Sequence, residues 1–79
     1  MSYDDVFLRV TELFAGLTDA ADEITADSEL MDDLDISSMD VLFIVASLES
    51  EFGIKIPRQM LRKIVSVGDV VDIIYDTLS

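Results

Sequence analysis

Residues 37 to 53 limit the fold of this chain more than any other stretch. Ser37 stands three residues before Asp40, the spacing of a serine and an acid that cap a helix reciprocally, and the apolar run Val41-Leu42-Phe43-Ile44-Val45-Ala46 follows at once. A helix is predicted from this start to about Phe52, where Gly53 can take the left-handed conformation that closes it. The run is apolar on more than one face of such a helix. Either it is the central helix of a bundle, or one of its faces is kept for a partner.

The flanking segments supply companions for it. Tyr3, Val6, Val10, Leu13 and Leu17 recur at steps of three and four, with Phe7 and Phe14 beside the stripe, which predicts an amphipathic helix over residues 3–17. Its other face carries Asp4, Asp5, Arg9 and Glu12. Thr18 to Ile36 reads as a long loop, for which Ile24, Leu30, Leu34 and Ile36 are the apolar anchors. Ile54-Lys55-Ile56 is an extended connector before Pro57, which opens a short third helix over Arg58 to Ile64. Ser66 and Asp69 repeat the capping spacing, and Val70, Val71, Ile73, Ile74 and Leu78 form the buried stripe of a last helix. The expected fold is all-α: a small four-helix bundle with three main helices, a short third one and a long first loop. One domain over residues 1–79 is expected, without repeats.

Composition decides what holds such a bundle together and what it can meet. A chain of 79 residues hides only about 60% of the surface it exposes when unfolded. There is no cysteine to form a disulfide and no histidine to ligate a metal, so stability has to come from packing. Hydrophobic residues make up 51% of the chain, which separates it from acidic disordered tails. Asp and Glu number 17 against 5 Lys and Arg, for a net charge of -12. Such a charge is repelled by nucleic acid and by anionic membranes, and points to basic protein surfaces as partners. Met1-Ser2-Tyr3-Asp4-Asp5 puts two acids where a secretory leader would need positive charge, so none is expected, and the apolar run from Val41 to Leu48 is too short to span a bilayer. A cytoplasmic monomer is expected. Four of the five basic residues, Lys55, Arg58, Arg62 and Lys63, are confined to one segment, so the charge is polarised.

Intrinsic catalysis needs a nucleophile, a base and an oxyanion site, and without His or Cys these residues do not assemble one. No enzyme activity is expected. Asp32-Asp33-Leu34-Asp35 invites a calcium loop, but counted from Asp33 an EF-hand needs Gly where Ser38 stands and Glu where Ile44 stands. A solvated acidic loop is the simpler reading, just as an ordinary helix-start serine is the simplest reading of Ser38 alone.

The wider context changes the meaning of Ser38. Asp35-Ile36-Ser37-Ser38-Met39-Asp40 opens a helix that ends in Leu48-Glu49-Ser50-Glu51-Phe52-Gly53-Ile54-Lys55-Ile56-Pro57, and Ser66-Val67-Gly68-Asp69-Val70-Val71-Asp72 follows. Upstream stand Ile24-Thr25, Asp27 and the stretch Leu30 to Leu34. This set of segments, over nearly the whole chain, resembles the acyl carrier protein family. Its signature is Asp-Ser-Leu at the start of the second helix, followed by Leu-Glu-x-x-Phe-x-Ile-x-Ile-Pro. The resemblance implies a 4′-phosphopantetheine arm, taken from coenzyme A and fixed to Ser38 by a magnesium-dependent phosphopantetheinyl transferase. Acyl groups then ride as thioesters on the arm, loaded and used by ligases, synthases and transferases with basic docking patches. Fatty-acid, polyketide or related specialised biosynthesis is the implied setting, with an aminoacyl or peptidyl carrier and a non-covalent acidic interaction module as the alternatives. The cofactor carries the reactive chemistry and the protein supplies position and recognition.

The chain departs from that pattern in several places. Ser37 replaces the Asp that normally precedes the modified serine, and Asp35 is a nearby carboxylate able to stand in. Met39 replaces Leu. Phe43 stands where many members carry an outward Glu, and the normally acidic third helix is basic. Asp35, Met39, Asp40, Phe43, Glu49 and Glu51 are the expected contacts for partner enzymes, with Phe43 equally consistent with the core. These departures favour a specialised carrier.

Overall fold

The computed structural model describes residues 2–17 and 24–78 and contains four helices: α1 (Tyr3–Ala15), α2 (Ser38–Phe52), α3 (Arg58–Leu61) and α4 (Val67–Leu78). No strand occurs among the described residues, where extended pairing is limited to a single bridge between Glu29 and Ser66. The all-α bundle expected from the sequence is what forms.

Each main helix starts on a serine or its equivalent. Ser2 Oγ accepts from the Asp5 N–H at 3.2 Å while Asp5 Oδ2 accepts from the Ser2 N–H at 3.2 Å, a full capping box for α1. Ser66 and Asp69 do the same for α4, and Asp69 Oδ2 also takes the Val65 N–H at 2.9 Å. Ser37 caps α2 by accepting from the Asp40 N–H at 3.2 Å. Its reciprocal bond differs from the expected one: the Ser37 hydroxyl donates to Asp40 Oδ2 at 3.1 Å. Gly53 closes α2 with φ of 67°, the left-handed C′ geometry read from the sequence. α3 is shorter than expected, one turn from Arg58 to Leu61, because Pro57 offers no side-chain cap. Looser turns, Lys63 N–H to Met60 O and Ile64 N–H to Leu61 O, carry the chain onward.

The core lies between α1, α2 and α4. α1 packs mainly along α4 and touches α2 more lightly. Val6, Val10 and Phe14 face inward from α1, with Val41, Ile44, Val45 and Leu48 from α2 and Val67, Val70, Val71 and Ile74 from α4. The buried line of α1 is therefore 6-10-14, not the stripe through Leu13 and Leu17. Leu13 is half-buried, and Leu17 lies past the end of the helix, exposed. Tyr3 and Tyr75 meet edge to face with ring centroids 5.6 Å apart. The first six residues of the expected loop, 18–23, lie outside the described residues. In its remainder Ile24 is half-buried and Leu30, Leu34 and Ile36 are buried, as anchors should be.

Backbone hydrogen bonds fasten that loop to the start of α4. Leu30 N–H donates to Val65 O at 2.9 Å, Val67 N–H to Ser28 O at 3.0 Å and Gly68 N–H to Ala26 O at 2.8 Å. Gly68 is needed for this approach, since a Cβ there would sit 2.8 Å from the Ala26 carbonyl oxygen. Backbone cannot swing away as a side chain can. Gly68→Ala should therefore destabilise the protein by about 1–3 kcal/mol in denaturant titration, overpacking and a stretched hydrogen bond outweighing the better helix propensity of Ala.

Candidate functional site

The segment before α2 is fixed by short-range bonds. Asp33 and Leu34 N–H groups both donate to Glu29 O, at 2.9 and 3.1 Å, Asp33 Oδ2 accepts from the Glu29 N–H at 2.8 Å, and Ile36 N–H donates to Leu30 O at 2.8 Å. Asp35 between them adopts φ of 55°, a left-handed geometry that Asp tolerates better than most residues. Burial of Leu34 and Ile36 on either side leaves the Asp35 side chain outside. The chain thus enters α2 along a defined path.

That path separates the roles of two adjacent serines. The Ser37 hydroxyl is committed twice to Asp40, as acceptor and as donor. Ser38, the first residue of α2, is exposed, and its hydroxyl makes no hydrogen bond among the described residues. It stands where the first turn of a 15-residue helix leaves N–H groups without carbonyl partners and where the helix dipole favours an anion. A cleft of about 670 Å³ begins beside it, walled by Leu30, Val41, Leu42, Leu61 and Ile64, with Glu29, Asp32, Arg58 and Arg62 also along it. A free hydroxyl, an anion-favouring helix end and an adjoining apolar cleft fit a phosphodiester-linked arm. Among the described residues no cluster of three or more Asp or Glu is placed to hold a metal ion.

The other sequence-derived site residues divide into two groups. Met39 is 79% exposed and Phe43 is 67% exposed, so Phe43 belongs to the surface and not the core. Asp40 is exposed beside them. Glu49 and Glu51, further along α2, are occupied within the chain. Glu49 Oε2 accepts from the Ile56 N–H at 2.8 Å and pins the connector to α3. Glu51 grips Arg9 of α1 with both oxygens, each at 2.6 Å, and Arg9 also reaches Glu12 at 3.0 Å. The sequence did not show either attachment, because the partners are distant or backbone groups.

Arg9 holds the Glu51 carboxyl below the usual carboxylate range, chiefly by hydrogen bonding. A carboxyl depressed in the folded state adds stability above its unfolded pKa and loses it as pH falls through the folded value. Glu51→Gln should therefore lower the denaturation midpoint at neutral pH by less than Gly68→Ala does, because the pair is partly solvated. The gap between wild type and variant should close as the pH is taken below the carboxylate range.

Known proteins resemble this chain over most of its length. The family model described as a phosphopantetheine attachment site matches residues 8–74. The acyl carrier protein of Helicobacter acinonychis is 40% identical over 74 residues, covering 94% of this chain and 91% of that protein. This chain belongs to the acyl carrier protein family. The acyl carrier protein of Petrotoga mobilis is 34% identical over 80 residues, covering 100% of this chain and 94% of its own length. Among solved structures, the acyl carrier protein from Enterococcus faecalis superposes with a TM-score of 0.81 at 33% identity, covering 98% of this chain and 99% of that one. Membership brings a covalently attached 4′-phosphopantetheine with it. Acyl carrier proteins are carriers, not catalysts, and a phosphopantetheinyl transferase modifies them for use by synthases and transferases. No described helix of this acyl carrier protein is long and apolar enough to cross a membrane.

Proposed function

We propose that Ser38 is the attachment point of the arm, and that residues 1–79 form one cytoplasmic, monomeric acyl-carrier domain that presents acyl thioesters to fatty-acid, polyketide or related specialised biosynthetic enzymes. The observation that carries this reading is the contrast between the serines: Ser37 is bonded to Asp40 on both sides, and Ser38 is exposed and uncommitted. When attached, the arm supplies a terminal thiol, which forms the thioester.

The protein's own residues do the rest. Ser38 Oγ attacks the coenzyme A phosphorus that bears the pantetheine, becoming the phosphodiester oxygen and giving up its proton as the pyrophosphate P–O bond breaks and adenosine 3′,5′-bisphosphate leaves, a step whose activation falls to the transferase. The first turn of α2 holds the resulting negative charge against its N–H groups. Leu30, Val41, Leu42, Leu61 and Ile64 offer the attached chain an apolar wall that keeps water from part of it. Asp35 and Asp40 are the exposed carboxylates nearest in sequence to Ser38, and they support the role usually filled by an Asp before the serine. The experiment is incubation with coenzyme A, Mg²⁺ and a broad-range phosphopantetheinyl transferase, followed by intact mass and fragmentation. One arm per chain, mapped to Ser38, is expected. A wild-type chain unmodified by several transferases, or modified elsewhere, refutes the reading.

A further inference from the structure

Sulfur in this chain is confined to four methionines, since there is no cysteine. Three of them, Met31, Met39 and Met60, lie among the described residues, and they differ in exposure. Met39 is 79% exposed, more than any other large apolar side chain described, and follows Ser38 directly at the start of α2. Met31 is 56% exposed and lines the cleft that begins beside Ser38. Met60, in α3, is half-buried and packs against the core. A thioether meets a dissolved oxidant according to its access to solvent, so the two sulfurs around Ser38 stand open and the third is sheltered. Asp35 and Asp40, exposed on either side in sequence, and a net charge of -12 hold off anionic oxidants. Hydrogen peroxide is uncharged and is not repelled.

We propose that Met39 is a peroxide-oxidation site that slows loading of Ser38. The Met39 thioether gives two electrons to hydrogen peroxide: the O–O bond breaks, one oxygen forms the S–O bond of the sulfoxide, and the other leaves as water with both protons. The product is a polar side chain with a strong acceptor oxygen beside the attachment serine. An enzyme that brings coenzyme A to the Ser38 hydroxyl covers the next residue as well. It then has to desolvate that oxygen where it would have met a soft apolar chain. Leu, the residue of the family signature at this position, has no sulfur to oxidise, so the sensitivity belongs to this chain's own sequence. The fold is left intact, because Met39 lies outside the core. The inference rests on Ser38 being the modified serine.

For the test, the protein without its arm is treated with graded hydrogen peroxide, the oxidant is removed, and oxygen uptake is mapped by fragmentation. Priming with coenzyme A, Mg²⁺ and a transferase active on the untreated chain is then read as kcat/KM from intact mass. Met39 and Met31 should both gain oxygen ahead of Met60. Priming should slow about fivefold with the sulfoxide at Met39 and recover after methionine sulfoxide reductase, with helicity and melting unchanged. Met39→Leu, compared with its own untreated rate, should lose little, whereas Met31→Leu should lose as much as wild type. Oxidation of Met60 ahead of Met39, equal priming with and without the Met39 sulfoxide, or a treated Met39→Leu chain that slows as much as wild type overturns the proposal. An untreated wild-type chain that no transferase primes refutes the carrier reading itself, and this inference falls with it.

Discussion

Ser38→Ala is expected to abolish loading of the arm completely, with no loss of fold. The substitution removes the only atom that can form the phosphodiester at that position, so the expected effect is all-or-none in intact mass. It should be silent in stability because Ser38 is exposed and its hydroxyl makes no bond among the described residues. The helix start is secured one residue earlier. Ser37→Ala is the informative contrast: it removes the cap and the bond to Asp40, costing about 0.5–2 kcal/mol, and should still accept the arm. If Ser38→Ala still gained the mass of an arm, or Ser37→Ala alone lost it, the assignment of the two serines would have to be exchanged.

Phe14→Ala is the largest expected loss of stability. Phe14 is fully buried in the core that α1 shares with α4, and removing a buried aromatic ring typically costs about 3–5 kcal/mol in lost transfer energy and cavity. Against a total of about 5–15 kcal/mol for a domain, that is a large share. Alanine is the better helix former, so the loss cannot be charged to α1 itself. Chemical denaturation should show a midpoint shift several times that of Glu51→Gln. Phe14→Leu, which retains most of the volume, should lose much less. A Phe14→Ala shift no larger than that of an exposed substitution would mean that the α1–α4 contact is not where stability resides.

What the sequence revealed was local. A cap needs a serine and an acid three residues apart, and Ser37 with Asp40 and Ser66 with Asp69 could be read from spacing alone, as could Gly53. The choice of Ser38 came from the wider pattern of segments, and the free hydroxyl gives it a physical basis. What the sequence left open depends on which faces meet. A stripe through Leu13 and a line through Phe14 are both helical repeats, and only the direction of α4 chooses between them. An apolar run cannot say which of its sides stays wet, so Phe43 was equally at home inside or outside until α2 was seated. Glu49 and Glu51 looked like surface acids because nothing in their neighbourhood names the Ile56 N–H or Arg9, 42 residues away. Gly68 gave no signal either, since its constraint is the carbonyl of Ala26 across a loop.

The pairing of α1 with α4 also has a consequence in time. During synthesis α1 is made before the other three helices, yet the surface that covers Val6, Val10 and Phe14 belongs to α4, made after them. At about 5–20 residues per second, those side chains wait several seconds for Val67, Val70, Val71 and Ile74. Until then the nascent chain holds only short-range contacts, and the long-range closure between first and last helix comes as a late, cooperative step. Ser38 is therefore presented on a closed bundle only after α4 has been made.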